Sequence, residues 1–141
     1  MDGTASRKRL SEARVARLAT VDATGRPHLV PVVFALDGDT IYFAVDAKPK
    51  RTTHLQRLRN IAANPAVCIL ADDYEEDWTR LWWVRVDGAA SILEDSPQSD
   101  HALELLAGRY PQYRKTRPQG PVVAIKVHSI TGWAASENPV R

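Results

Sequence analysis

The sequence predicts a mostly β fold, a small antiparallel barrel with helices packed outside it. Three observations carry this. Six segments have the length and apolar content of strands, most are joined by short turn-forming runs, and only three segments read as helices. A doubly wound sheet would alternate strand and helix along the whole chain, and this chain does not. Its 141 residues fit one domain, 1–141, large enough to bury a core without disulfides or metals.

Residues 6–13 are dominated by charge and read as a short helix. Val15, Leu18 and Val21 alternate with small and polar residues in a first strand, 15–21. Asp22-Ala-Thr-Gly25 is turn chemistry. A second strand, 28–36, is apolar nearly throughout, and Pro31 requires its ladder to be broken or at an edge there. Asp37-Gly-Asp39 signals a hairpin into a third strand, 41–45.

Residues 53–64 place Leu55, Leu58, Ile61 and Ala62 at helical spacing, with Asn64-Pro65 as the stop. A buried strand, 66–71, leads into the acidic run Asp72-Asp-Tyr-Glu-Glu-Asp77. A long strand, 81–93, follows, in which Asp87-Gly88 offers a bulge. Ser96-Pro97 is a cap followed by a first-turn proline, opening a helix to about residue 107 that stops at Gly108. Residues 109–120 read as a basic, aromatic loop, and 122–130 as the closing strand.

Composition narrows the function classes. Hydrophobic residues make up 44% and charged residues 26%, the usual balance of a globular protein. A net charge of +2 is too small for nucleic-acid binding through bulk electrostatics. Cys68, the single cysteine, excludes an internal disulfide and a cysteine-rich zinc site, and fits a reducing compartment. No apolar run approaches the roughly 20 residues that span a bilayer, and the first residues lack a signal peptide's apolar stretch, so a cytoplasmic protein is expected.

The most informative stretch is Asp46-Ala-Lys-Pro-Lys-Arg-Thr-Thr-His54. It gathers Lys48, Lys50, Arg51, Thr52 and Thr53 where a strand gives way to a helix N-terminus, a place that favours anions. A phosphate-bearing ligand follows. The four histidines show no metal-binding spacing, and Cys68 within an apolar strand reads as a small buried hydrophobe. No side chain stands out as a catalytic acid, and no metal site is expected.

The run Ala16-Arg-Leu-Ala-Thr-Val-Asp-Ala-Thr-Gly-Arg-Pro-His-Leu-Val-Pro-Val32, with Asp39-Thr-Ile-Tyr-Phe43, resembles the flavin/deazaflavin oxidoreductases of the pyridoxamine 5′-phosphate oxidase-like split-barrel superfamily. Lys48-Pro-Lys-Arg51, Asn64-Pro65, Asp72-Asp-Tyr74, Leu81-Trp-Trp-Val-Arg-Val-Asp-Gly88 and Gly132-Trp-Ala134 continue the match in order. The resemblance is greatest to the branch that uses coenzyme F420.

That resemblance implies a six-stranded split β-barrel working as a homodimer, with cofactor sites at the subunit interface. It implies that Pro31, Val32 and Val33 line the cofactor's flat ring. The phosphate falls to Lys48, Lys50, Arg51, Thr52 and Thr53. Flavin mononucleotide enzymes of this kind place an Arg and a Lys on the second strand, and residues 28–36 contain neither. Coenzyme F420 is therefore expected, with FMN as the alternative. Trp82 and Trp83 face opposite sides of their strand, which frees one ring from the core, and Trp82 is assigned to the cofactor. Arg114, Lys115 and Arg117 would suit the polyglutamate tail of coenzyme F420. The expected activity is hydride transfer from reduced coenzyme F420 to an electrophilic small molecule, with solvent, Tyr110 or Tyr113 delivering the proton. The alternatives are an FMN-dependent oxidase or reductase and a non-catalytic carrier of a cofactor or tetrapyrrole. Neither nucleic acid nor membrane is expected as a partner.

Overall fold

The computed structural model describes residues 1–45 and 52–135, with the side chains of residues 52–55 left aside. The elements run α1 (Gly3–Glu12), β1 (Ala16–Val21), β2 (Pro27–Val32), β3 (Ala35–Asp37), β4 (Thr40–Ala44), α2 (Thr52–Ala63) and β5 (Ala66–Asp73). A single 3-10 turn (Trp78–Arg80), β6 (Trp82–Leu93), α3 (Pro97–Arg109), α4 (Pro111–Lys115) and β7 (Val122–Ala134) complete the elements among the described residues. All seven strands form one antiparallel sheet in the order β2-β1-β5-β6-β7-β4-β3.

This corrects the expected six-stranded barrel. The sheet has seven strands and is not closed, because the strand expected over 28–36 is two strands on opposite edges. β2 pairs with β1, whereas β3 pairs with β4. Only Val33 and Phe34 separate them, so the sheet curls until its two edges almost meet. Pro31 sits on the β2 edge, where a missing N–H costs no central ladder bond.

Other elements follow their sequence signals closely. Asp22 holds its turn by accepting from the N–H groups of Thr24 (2.8 Å) and Arg26 (2.9 Å). Gly38, at φ 59°, supplies the left-handed residue of the β3–β4 hairpin. The β6 register shifts between Asp87 and Gly88. A Cβ on Gly88 would collide with the Lys126 carbonyl oxygen, so the bulge brings two backbones into contact there. Ser96 and Ser99 form a reciprocal capping box at the start of α3.

Two elements differ from expectation. α3 runs through Gly108 to Arg109, because Arg114 reaches back to the carbonyls of Ala107 (3.0 Å) and Gly108 (3.2 Å) and satisfies the helix end. The expected loop 109–120 contains α4, opened by Pro111 in its first turn.

Alternate residues of β1, β5 and β6 point inward, so Leu18, Ile69, Val84 and Val86 meet Phe34, Ile41 and Phe43 in the main core. α2 closes over β1 and β6 with Ile61, and Asn60 donates to the buried Thr20 hydroxyl at 3.0 Å. Tyr42 and Ala124, on the other face of β4 and β7, pack beneath Ala102 of α3. No helix among the described residues is long and apolar enough to cross a membrane.

Gly88→Ala should lower the unfolding free energy by about 1–3 kcal/mol, because overpacking a close backbone contact costs that much. A thermal melt checks it; a midpoint equal to the parent's would mean that the contact relaxes freely.

Candidate functional site

Where the chain crosses from β2 to β3, it forms one wall of a cleft of about 330 Å³. Pro31, Val32 and Val33 line this wall, and Phe43, Ala44 and Val45 at the end of β4 line the floor. Val15, Arg57 of α2 and Tyr113 of α4 complete the rim. The volume suits a small cofactor, and the lining is largely apolar. An edge strand also leaves alternate backbone N–H and C=O groups without a ladder partner, and β2 is such an edge.

Arg57 is the one charged residue among the described residues that line the cleft. Its Nε is buried without a hydrogen-bond partner among the described residues. Desolvation by burial lowers its pKa from the ordinary arginine value, and the Tyr113 phenol opposes this shift. A desolvated guanidinium with an unused donor is built to take an anionic oxygen. Its position is fixed from behind, since Gln56 donates to Asn60 (2.7 Å) and Asn60 to Thr20, tying this turn of α2 to β1.

The crossover itself is held by the α3–α4 junction. Arg109 donates to the Phe34 carbonyl at 2.9 Å and, through its other prong, to the Ala13 carbonyl. The Tyr110 hydroxyl accepts from the Phe34 N–H at 3.1 Å and lies 2.9 Å from the Phe34 carbonyl and 3.0 Å from that of Arg14. Phe34 has no strand neighbour at this point, and these two side chains satisfy its backbone instead.

Residues 4–134 match the pyridoxamine 5′-phosphate oxidase family. The chain belongs to that family. Solved structures agree with the fold across the chain. Rv2991, a conserved hypothetical protein of Mycobacterium tuberculosis, is 21% identical with a TM-score of 0.81 over 100% of this chain and 89% of its own. A FAD-binding protein of Mesorhizobium loti is 23% identical with a TM-score of 0.72, over 94% of each chain. HutZ, the heme storage protein of Vibrio cholerae, is 19% identical with a TM-score of 0.72, over 94% of this chain and 93% of its own. A search of curated proteins gave no match.

Within this family fold, Pro31, Val32 and Val33 come together in the cleft. Lys48, Lys50 and Arg51 lie outside the described residues, and Thr52 and Thr53 fall in the first turn of α2 with side chains not described. Trp82 does not line the cleft. It is 9% exposed in the main core, with the Arg9 guanidinium 5.0 Å above its ring. Trp83 faces the other side of the sheet, where it lines a shallow depression with Leu70, Asp72, Tyr74 and Arg85. Of the residues suited to a polyglutamate tail, Arg114 caps α3 and Arg117 pairs with Glu104. Tyr110 is committed to backbone groups, which leaves Tyr113 as the phenol at the cleft.

Sequence reasoning passed over Arg57 because it sits off the apolar stripe of α2. The available signal was its spacing, one helical turn beyond Thr53.

Cys68 lies on β5 beside Asp87. Burial first, and the Asp87 charge second, push its thiol pKa up. It should therefore alkylate with iodoacetamide at pH 8 at least tenfold more slowly than an unstructured cysteine, read by mass spectrometry. Equal rates would show that the thiolate is accessible.

Proposed function

We propose that this member of the pyridoxamine 5′-phosphate oxidase family is an F420-dependent oxidoreductase that passes a hydride to an electrophilic small molecule. The observation that carries the reading is the placement of positive charge. Residues 27–37, which span β2, the crossover and β3, contain neither Lys nor Arg, while Arg57 meets the cleft from α2. The sequence adds Lys48, Lys50 and Arg51 just before the same helix. An anionic group is thus drawn to the α2 side, leaving the uncharged β2 edge for a flat ring. That arrangement favours coenzyme F420 over FMN, whose phosphate in related enzymes meets cations on the second strand.

The residues of the cleft fit such a group. Bound reduced coenzyme F420 would supply the hydride. Pro31, Val32 and Val33 present a flat apolar wall and an edge of free backbone groups that orient a ring system. Arg57, with Lys48, Lys50, Arg51, Thr52 and Thr53, holds phosphate oxygens. Tyr113 carries a proton at Oη beside the cleft and is the candidate source for the reduced product.

A second copy of the chain is proposed to close the open side. Leu29 is 68% exposed on the outer face of β2, and Trp83 stands opposite Trp133 on the outer face of β6 and β7. Large apolar groups gathered on one sheet face favour a protein partner.

Equilibrium titration of the purified protein with coenzyme F420, FMN and biliverdin tests the reading. Coenzyme F420 should bind, and Arg57→Ala should weaken it about 10–100-fold, the worth of a charge-assisted hydrogen bond. Lys50→Ala combined with Arg51→Ala should abolish binding while the melting curve is retained. Tight FMN binding with no coenzyme F420 binding would sink the proposal. Binding without oxidation of reduced coenzyme F420 by any acceptor would favour the carrier alternative.

A further inference from the structure

Three wall residues of the cleft come from segments far apart in sequence: Val15 before β1, Val33 in the β2–β3 crossover and Tyr113 in α4. Each connects to the same side chain. The Tyr110 hydroxyl holds the carbonyl of Arg14, which precedes Val15, and both backbone groups of Phe34, which follows Val33. Its ring meets that of Tyr113 edge-on, with centroids 6.0 Å apart. Arg109 binds the same two segments at Ala13 and Phe34, and its guanidinium lies 4.9 Å from the Phe34 ring and 5.4 Å from the Tyr110 ring. Arg14 returns the contact by donating to the Arg109 carbonyl at 2.7 Å.

We infer that Tyr110 is a positioning residue of the cleft. Through one hydroxyl it fixes the spacing among Val15, Val33 and Tyr113, and so sets how wide a ring system the cleft takes. The hydroxyl has one proton. It accepts from the Phe34 N–H and donates to one of two carbonyls, so the Arg14 and Phe34 walls share one donor. Phe34 is fully buried, and bulk water is not at hand to replace that donor. Loss of the hydroxyl therefore leaves Arg109 as the remaining tie between the two segments, and both walls loosen together. The edge-on ring contact remains, but the ring that Tyr113 meets loses its fixed reference.

The ligand part of this inference rests on the reading of the cleft as a cofactor site, whereas the coupling of the walls does not. Tyr110→Phe keeps the ring contacts and removes the hydroxyl. Hydrogen–deuterium exchange of the free protein should show faster exchange in two stretches at once, residues 14–16 and 33–35, with β5 and β6 unchanged. Faster exchange in one stretch alone, or in neither, would overturn the inference. Arg109→Met, which keeps much of the side-chain stem and has no donor for either carbonyl, should loosen the same stretches and guards against a folding failure of the first variant. In titrations with coenzyme F420 and with FMN, whichever binds the parent should bind Tyr110→Phe about tenfold more weakly. Its absorption maximum should also move toward the free-solution position. Equal affinity and an unmoved band would overturn the positioning role. If the parent binds neither chromophore, the cofactor reading fails while the exchange result still decides the coupling.

Discussion

The structure depends on how the backbone of Phe34 is satisfied. The chain leaves one edge of the sheet after Val32 and joins the opposite edge at Ala35, so the intervening peptide groups have no neighbouring strand. A buried N–H or C=O left unpaired costs about 1–3 kcal/mol. Arg109 and Tyr110 remove that cost, and both come from a junction some seventy-five residues further along the chain. Burial lowers the pKa of Arg109, which works as a two-pronged donor to carbonyls. Because the crossover forms a wall of the cleft, the interaction that lets the sheet curl also shapes the candidate site.

The cleft divides its labour by charge. The β2 side offers apolar surface and edge backbone groups, and the α2 side offers a desolvated guanidinium. That guanidinium is kept in place by a short polar relay, Gln56 to Asn60 to Thr20, whose inner members are buried. The relay ties α2 to β1 through buried polar groups as well as through Ile61. An anionic, planar ligand is the chemistry that matches both sides at once.

Much of the fold was legible in the sequence because its signals are local. The Ser96-Pro97 start, the Asn64-Pro65 stop, the Asp37-Gly-Asp39 hairpin and the Asp87-Gly88 bulge each act through a few adjacent residues. The division of residues 28–36 was not legible. Pro31 signals a break or an edge in this apolar run but not that its two halves serve different edges, and the residues that fix the crossover, Arg109 and Tyr110, lie within what reads as a basic loop. The same distance effect governed the site. Pro31, Val32 and Val33 were marked by the proline and the family resemblance, whereas Arg57 and Tyr113 become neighbours only through the tertiary fold. Alternation showed that Trp82 and Trp83 face opposite ways, but not which of them enters the core. The structure puts Trp82 there, so Trp83 is the ring left for a partner or ligand.

The most direct measurement is a crystal structure of the protein soaked with coenzyme F420. The account predicts the ring system against Pro31, Val32 and Val33, with an anionic oxygen within hydrogen-bond reach of the Arg57 guanidinium and Tyr113 beside the ring. Ring density seated elsewhere, or a bound anion that leaves Arg57 unengaged, would contradict it.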